Sequence, residues 1–339
     1  MEIEITSELN PLCYNAPQWE GFMILVTGGT GFIGRHLVKR LMEENQPIRL
    51  LLTEERLPRL HFDVENAPQV IVGSILDEEI TFRAVSGVHT IYHLENAQWW
   101  GRSKDLERVE VFGTRMLMNA ARAARVGRVI TLSHLGATPS SAYPLMRYKG
   151  MVEEIIRTSG LAYTIIRSGV VFGYEDAFIN HIALQLKANP FFFLVPGQGE
   201  VTLHPIYIDD LVNVLLNTLE NLNTVDAIIE VGGAEYISLQ DLLYTVMRVT
   251  GTHRTLIGVP PYLLRWLTAF FSRVIPRSLI TDQWMDLLAT NHMAHIGNIY
   301  QYFGIKPHRL EDTLATYLPE RQKQYSMWRY VLRRHPKVI

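Results

Sequence analysis

Residues 23–34 read Met23-Ile24-Leu25-Val26-Thr27-Gly28-Gly29-Thr30-Gly31-Phe32-Ile33-Gly34. The apolar run ending at Thr27 predicts a buried strand, the glycines predict a tight turn, and the pattern beyond them predicts a helix to about Asn45. The turn satisfies G-x-G-x-x-G through Gly29, Gly31 and Gly34, and G-x-x-G-x-x-G through Gly28, Gly31 and Gly34. Glycine at these spacings lets backbone approach a pyrophosphate and lets the helix pack closely on the strand. The unpaired amides and the positive end of the helix then receive the phosphates. A glycine turn that only joins strand to helix is the competing reading. The strand before and the helix after favour a nucleotide.

Working outward, short β-branched or leucine-rich runs alternate with helical patterns through residue 172, with strands expected at 48–52, 70–72, 90–94, 129–133 and 163–167. Because these runs are continuously apolar, both faces of the sheet should be covered. The expected fold is α/β, a doubly wound parallel Rossmann sheet with a smaller, mainly helical C-terminal substrate lobe. Residues 1–22 form an extension, 23–173 and 205–250 the dinucleotide domain, 174–204 and 251–325 the lobe, and 326–339 a tail. Pro205 to Ile208 reads as a short strand, Asp209 and Asp210 as caps for the helix after it, and 238–249 as a further helix.

A chain of 339 residues, 47% hydrophobic and 19% charged, can bury a sizeable core, and its net charge of −2 gives no general attraction to nucleic acid. The single cysteine, Cys13, excludes an intrachain disulfide and a cysteine metal cluster, which suits a cytoplasmic protein. The first 22 residues carry Glu2, Glu4, Glu8 and Glu20 and no basic residue, unlike a secretory signal. The apolar stretch 262–271 is interrupted by Arg265 and is too short to span a bilayer. Leu263, Trp266, Leu267, Phe270 and Val274 form a helical stripe that reads first as core and second as an interfacial or partner-docking face, so peripheral membrane contact and a protein partner stay open.

An NAD site usually has an acid at the end of the second strand, holding the ribose 2′-hydroxyl. Here Leu52 and Thr53 occupy that end, Glu54 and Glu55 follow, and Arg49 and Arg56 offer charge to a 2′-phosphate. Thr53 and Arg56 are therefore expected contacts, with NADP(H) favoured over NAD(H).

The glycine turn, Val72-Gly73-Ser74, Gly113-Thr114, Lys149 with Glu153, Arg167 through Gly173, and Pro205-Ile206-Tyr207-Ile208-Asp209-Asp210 resemble the extended short-chain dehydrogenases/reductases, whose epimerases and dehydratases share this fold. Within that superfamily, Ser133-His134-Leu135-Gly136-Ala137 is similar to the nucleotide-binding accessory subunit of respiratory complex I and its bacterial relatives, which are atypical members. The resemblance implies that Thr30, Phe32 and Ile33 flank the pyrophosphate, that Ser74 and Ile75 approach the adenine, and that Leu94, Glu95 and Asn96 border the adenosine ribose. It further implies that the Ser168-Gly169-Val170 backbone meets the nicotinamide. Glu95 departs from the family pattern, because a carboxylate there would repel pyrophosphate.

The family also places a tyrosine four residues before the lysine, so that both side chains share one helix face and the lysine lowers the phenol pKa. Lys149 fits, but Leu145 stands in the tyrosine position and carries no proton. Tyr148 lies on another face of the helix, and Tyr143 in the entry loop is the substitute that could swing in. His134 takes the serine position of the family, unless a one-residue shift restores Ser133; His134 is the best surviving acid on sequence grounds. Trp99, Trp100 and His204 are expected to face an unknown small-molecule substrate. Two functions follow: an oxidoreductase or epimerase with a degenerate catalytic set, or a non-catalytic protein that holds a dinucleotide while docking on a partner.

Overall fold

Alternate residues of β1 (Met23–Thr27) face opposite ways: Ile24 and Val26 enter one hydrophobic cluster, Met23 and Leu25 another. In β2 (Ile48–Leu52), Ile48, Leu50 and Leu52 join the first cluster and Leu51 the second. This period of two, with apolar residues on both faces, is what a sheet covered on both sides requires. The computed structural model describes residues 22–59, 67–95, 106–274 and 279–324.

The other strands are β3 (Gln69–Val72), β4 (Val88–His93), β5 (Arg128–His134), β6 (Ala162–Ser168), β7 (Val171–Phe172), β8 (Phe192–Pro196), β9 (Thr202–Leu203), β10 (Ile206–Tyr207), β11 (Ala227–Val231), β12 (Ile237–Ser238) and β13 (Thr255–Val259). Seven of them form one sheet in the order β11-β6-β5-β4-β1-β2-β3, every neighbouring pair parallel. The chain runs outward from β1 through β2 to β3, then returns to β4 on the other side of β1. The crevice at the carboxyl ends of β1 and β4 is therefore the topological switch point, where open α/β sheets bind ligands.

A further core joins the lobe to the sheet domain: in it Phe178, Ile179 and Ile182 meet Leu242, Leu243 and Val246, Leu310 and Leu314 from the last described helix, and Leu145, Met146 and Phe172. The helix Leu239–Thr250, grouped by sequence with the sheet, thus packs against the helices Phe178–Ala188 and Leu310–Gln324. Ser238 Oγ caps it by accepting from Asp241 N at 3.0 Å. The capping role expected for Asp209 and Asp210 is not what these residues do. The helix Ile208–Glu220 starts one residue earlier without a side-chain cap, and Asp210 instead accepts from His308 N at 2.8 Å and from its Nδ1 at 2.7 Å, pinning the lobe to the sheet domain.

Candidate dinucleotide site

The glycine turn leaves β1 at Gly28, whose φ of +71° is a left-handed conformation that suits glycine, and whose Cβ would lie 2.4 Å from Leu94 O. Gly31 N donates to Gly28 O at 2.9 Å, closing the turn. A Cβ on Gly34 would stand 2.2 Å from Gly28 O, so that glycine is demanded by the packing of helix on strand. Gly31 is different: its φ of −70° suits any residue, and its Cβ would meet only Gly28 O, at 3.2 Å. The fold itself hardly needs Gly31.

No side chain caps the helix Phe32–Glu43, so its first amides are open to an anion. Two buried hydroxyls beside the crevice, Thr30 Oγ1 and Thr53 Oγ1, have no hydrogen-bond partner among the described residues. An unsatisfied buried hydroxyl costs on the order of 1–3 kcal/mol, which a bound ligand would remove. Glycine cradle, uncapped helix and orphaned hydroxyls fit a dinucleotide, as expected of Thr30 and Thr53 from the sequence.

At that adenosine end Arg49 is already spent. Its guanidinium donates to Gln69 Oε1 at 2.7 Å and to the carbonyls of Ala84 and Ser86 at 2.8 and 2.5 Å, tying β2 to its neighbours, so it offers no contact to a 2′-phosphate. Glu54 and Glu55 are exposed on the short 3-10 turn after β2. Arg56 Nη1 lies 3.1 Å from Glu95 Oε1, a largely buried pair joining the segments after β2 and β4. Burial pushes the Glu95 carboxyl up, while Arg56 and the Gly28 amide hold it down. The Arg56 guanidinium thus offsets the Glu95 charge while the two are paired, which reduces the repulsion expected from it. Ser74 Oγ accepts from Leu76 N at 3.1 Å, and Ile75 turns its side chain into the core with its carbonyl held by Thr81 Oγ1 at 3.1 Å. Leu94 borders the turn through its carbonyl. Asn96, Trp99 and Trp100 lie outside the described residues.

Lys149, expected at the nicotinamide ribose, lies in the helix Pro144–Arg157. Its Nζ lies 2.8 Å from Glu110 Oε2, and both side chains are buried. Glu110 comes from a π-helical turn, Glu107–Phe112, an irregularity found mostly at functional positions. From the same helical stretch Thr114 Oγ1 donates to the Glu110 carbonyl and sits 2.8 Å from His93 Nε2. His93 Nδ1 is in turn 2.8 Å from Thr27 Oγ1, at the mouth of the glycine turn. Burial and the Lys149 charge push the His93 imidazole down to about 3, so it is a neutral link between hydroxyls.

Leu145 is buried in the core that joins the lobe to the sheet domain, its N–H donating to Asp286 Oδ2 at 3.1 Å. Tyr143 lies beneath the Arg265 guanidinium, 5.4 Å from its ring centre, and Arg265 is itself paired with Asp286 at 2.7 Å. Ser133 Oγ donates to Glu153 Oε1 at 2.5 Å, and Glu153 is held by Arg167 at 2.7 Å; this serine serves an ion-pair network. His134 is half-buried, with Nδ1 2.8 Å from Leu135 O. Burial, then His292 and Lys149, bring His134 down to about 3. Its protonated form is thereby disfavoured, which weighs against the acid role expected for it. His292, which sequence reasoning missed, reaches the same carbonyl at 2.8 Å, with its ring 5.1 Å from that of His134.

His204 also departs from expectation. It is fully buried, with Nε2 3.0 Å from Gly233 O and Nδ1 accepting from Ala294 N at 3.3 Å, so it staples three segments and faces no substrate. In the segment expected at the nicotinamide, Ser168 O accepts from Leu135 N at 3.0 Å, Gly169 N donates to Val231 O at 3.2 Å and Val170 O accepts from Ile206 N at 2.9 Å. Gly169 is needed there, since a Cβ would strike His204 O. Glu110 and His93, like His292, were not found from sequence. His93 had one available signal, a histidine at the end of an apolar strand; Glu110 had none, because it reaches Lys149 only through tertiary packing.

A family model described as NAD(P)H-binding matches residues 28–180. Among curated proteins, NADH dehydrogenase (ubiquinone) 1 alpha subcomplex subunit 9, mitochondrial, of Rattus norvegicus is 27% identical over 259 residues, covering 74% of this chain and 67% of that protein. The photosystem II assembly factor Ycf39 of Guillardia theta is 23% identical over 307 residues, covering 88% of this chain and 93% of that protein. Of solved structures, the UDP-glucose 4-epimerase of Thermotoga maritima superposes with a TM-score of 0.68 at 20% identity, over 90% of this chain and 100% of that one. The UDP-glucuronic acid 4-epimerase of Bacillus cereus, with UDP-glucuronic acid and NAD, gives 0.69 at 19%, over the same shares. Over residues 28–180 the chain matches an NAD(P)H-binding family, it is distantly related to that complex I subunit and to Ycf39, and it shares its fold with the two epimerases.

Proposed function

We propose that this protein holds NADP(H) as a structural or sensory ligand while docking on a protein partner, and that it is not a working reductase or epimerase. The observation that carries this reading is the buried Lys149–Glu110 pair with Leu145 in place of the catalytic tyrosine. When bound, a nicotinamide dinucleotide supplies hydride chemistry, but the protein must supply a proton at the reacting oxygen. Leu145 carries none, the protonated form of His134 is disfavoured, and Tyr143 is stacked under Arg265. What remains around Lys149 can bind and orient a ribose. The names of two relatives, a complex subunit and an assembly factor, support a docking role.

The preference for NADP(H) rests on Arg56. Rotated away from Glu95, its guanidinium would meet a 2′-phosphate. The test is to release the dinucleotide from purified protein, identify it, and follow NADPH oxidation with small ketones, quinones and nucleotide sugars. Bound NADP(H) without turnover is the expected result. Steady turnover of any of these substrates would overturn the binding-protein reading, and copurified NAD(H) alone would overturn the cofactor preference.

A further inference from the structure

The helix Pro261–Val274 is amphipathic in an unusual sense. Its described inward residues are Leu264 and Thr268, both buried, whereas Tyr262, Leu263, Trp266 and Phe270 are exposed by 76, 41, 64 and 52%. Residues 262, 266 and 270 recur every four positions, and 263 lies beside them, so the four make one stripe along the outer face. The Trp266 and Phe270 rings lie parallel, 6.1 Å apart, rather than folding back onto the core. The helix is preceded by β13, whose Ile257 is also exposed.

The sequence around this stripe has one sign of charge. Residues 242–281 contain Arg248, Arg254, Arg265, Arg273 and Arg277 and neither aspartate nor glutamate. Arg254 donates to the carbonyls of Leu186 and Asn189 and so keeps its positive charge. Arg273 follows Phe270 by three residues. Arg248 and Arg265 are paired with Glu311 and Asp286. An apolar stripe that includes tryptophan and tyrosine, within a basic segment free of acids, has the composition of a helix lying in a lipid headgroup region. No helix among the described residues is long and apolar enough to cross a membrane, so contact would be on its surface. A second copy of this chain is the poorer occupant, because a two-fold contact would bring one basic segment against the other.

We propose that the outer face of the helix Pro261–Val274 docks this protein on an anionic lipid surface, with Tyr262, Leu263, Trp266 and Phe270 entering the headgroup layer and the arginines of this acid-free stretch of sequence supplying the attraction. The test is flotation of the full-length protein with vesicles of phosphatidylcholine alone or of phosphatidylcholine with phosphatidylglycerol, at low and high salt. The protein should float with the anionic vesicles, less at high salt, and scarcely with the neutral ones. Trp266→Ser with Phe270→Ser should weaken anionic binding about tenfold or more. Tyr262→Asp, at the most exposed position of the stripe, should weaken it without disturbing the fold, as judged by an unchanged melting temperature. Failure to float with anionic vesicles at low salt would overturn the proposal, as would flotation undiminished in both variants. A dimer in solution that these variants abolish would assign the stripe to a second copy and overturn it equally.

Discussion

Lys149 Nζ stands 2.8 Å from Glu110 Oε2, both side chains out of water, and the pair fastens the helix Pro144–Arg157 to the π-helical turn Glu107–Phe112. Removing one partner of such a buried pair strands the other charge, at a cost of about 3–5 kcal/mol, whereas replacing both with apolar groups of similar volume is often neutral. Glu110→Gln and Lys149→Met should therefore each lower stability in urea unfolding by about that amount. The double variant Glu110→Leu/Lys149→Met should recover most of it. Additive losses in the double variant would show that the two charges are not coupled.

The contrast between Gly31 and Gly34 separates binding from folding. Gly31→Val should lower the melting temperature less than Gly34→Ala does, because only Gly28 O approaches its Cβ, at 3.2 Å. It should abolish dinucleotide binding in calorimetric titration, because the side chain fills the space reserved for the pyrophosphate. Gly34→Ala should destabilise the apoprotein, since its Cβ would stand 2.2 Å from Gly28 O. Unchanged affinity in a folded Gly31→Val protein would move the site elsewhere.

The proposed preference for NADP(H) makes Arg56 and Glu95 the residues that choose between the two dinucleotides. Arg56→Ala should weaken NADPH more than NADH by about 1.5–3 kcal/mol, the worth of a charge-assisted hydrogen bond. Glu95→Gln keeps the shape of the pair but releases Arg56 from its carboxylate, so NADPH should bind more tightly while NADH changes little. Equal responses of the two cofactors to both substitutions would remove the preference.

His93 gives a pH dependence of defined sign. Its folded pKa of about 3 lies below the ordinary imidazole value of 6.5, so below about 6.5 the unfolded chain binds the proton first. The contribution of His93 to stability is fully present above that pH and is lost as pH falls toward 3. The melting temperature should decline over that window, and His93→Gln should flatten the decline while lowering stability at neutral pH by breaking the links to Thr27 and Thr114. An unaltered pH slope in the variant would show that other groups carry the acid sensitivity.

How much of this was legible beforehand follows from what each feature depends on. The sheet strands and the glycine turn are local: period-two burial in β1 and β2 and the spacing of Gly28, Gly31 and Gly34 can be read from neighbours in the chain. Leu145 was legible too, because the missing phenol is a matter of counting back from Lys149 along one helix. The pairs that decide the chemistry are not local. Glu110 and Lys149, Arg56 and Glu95, and His134 and His292 are separated by tens of residues or more, and no spacing rule links them. His204 misled for the same reason: its position suggests a cleft, but Gly232 leaves room for its buried ring, whose Nε2 reaches the Gly233 carbonyl.

Classical turnover should be absent or very slow in the native protein, and Leu145→Tyr alone should not restore it. The substitution returns a phenol to the Lys149 face of the helix, but two features oppose its use. Leu145 is only 6% exposed and belongs to the packed core between lobe and sheet domain, so the larger ring should cost about 1–3 kcal/mol in overpacking. The Lys149 ammonium is also drawn to Glu110, which reduces its power to lower the phenol pKa. Leu145→Tyr combined with Glu110→Gln frees the lysine charge. Where a substrate fits, the double variant should gain toward the ~10²–10⁴ in rate that a positioned general acid contributes. NADPH oxidation measured over a panel of ketones, quinones and nucleotide sugars distinguishes the cases, with binding of NADPH by each variant checked first. Rapid turnover by the native protein that falls in His134→Ala would defeat this account, because it would require a proton from an imidazole whose protonated form its surroundings disfavour.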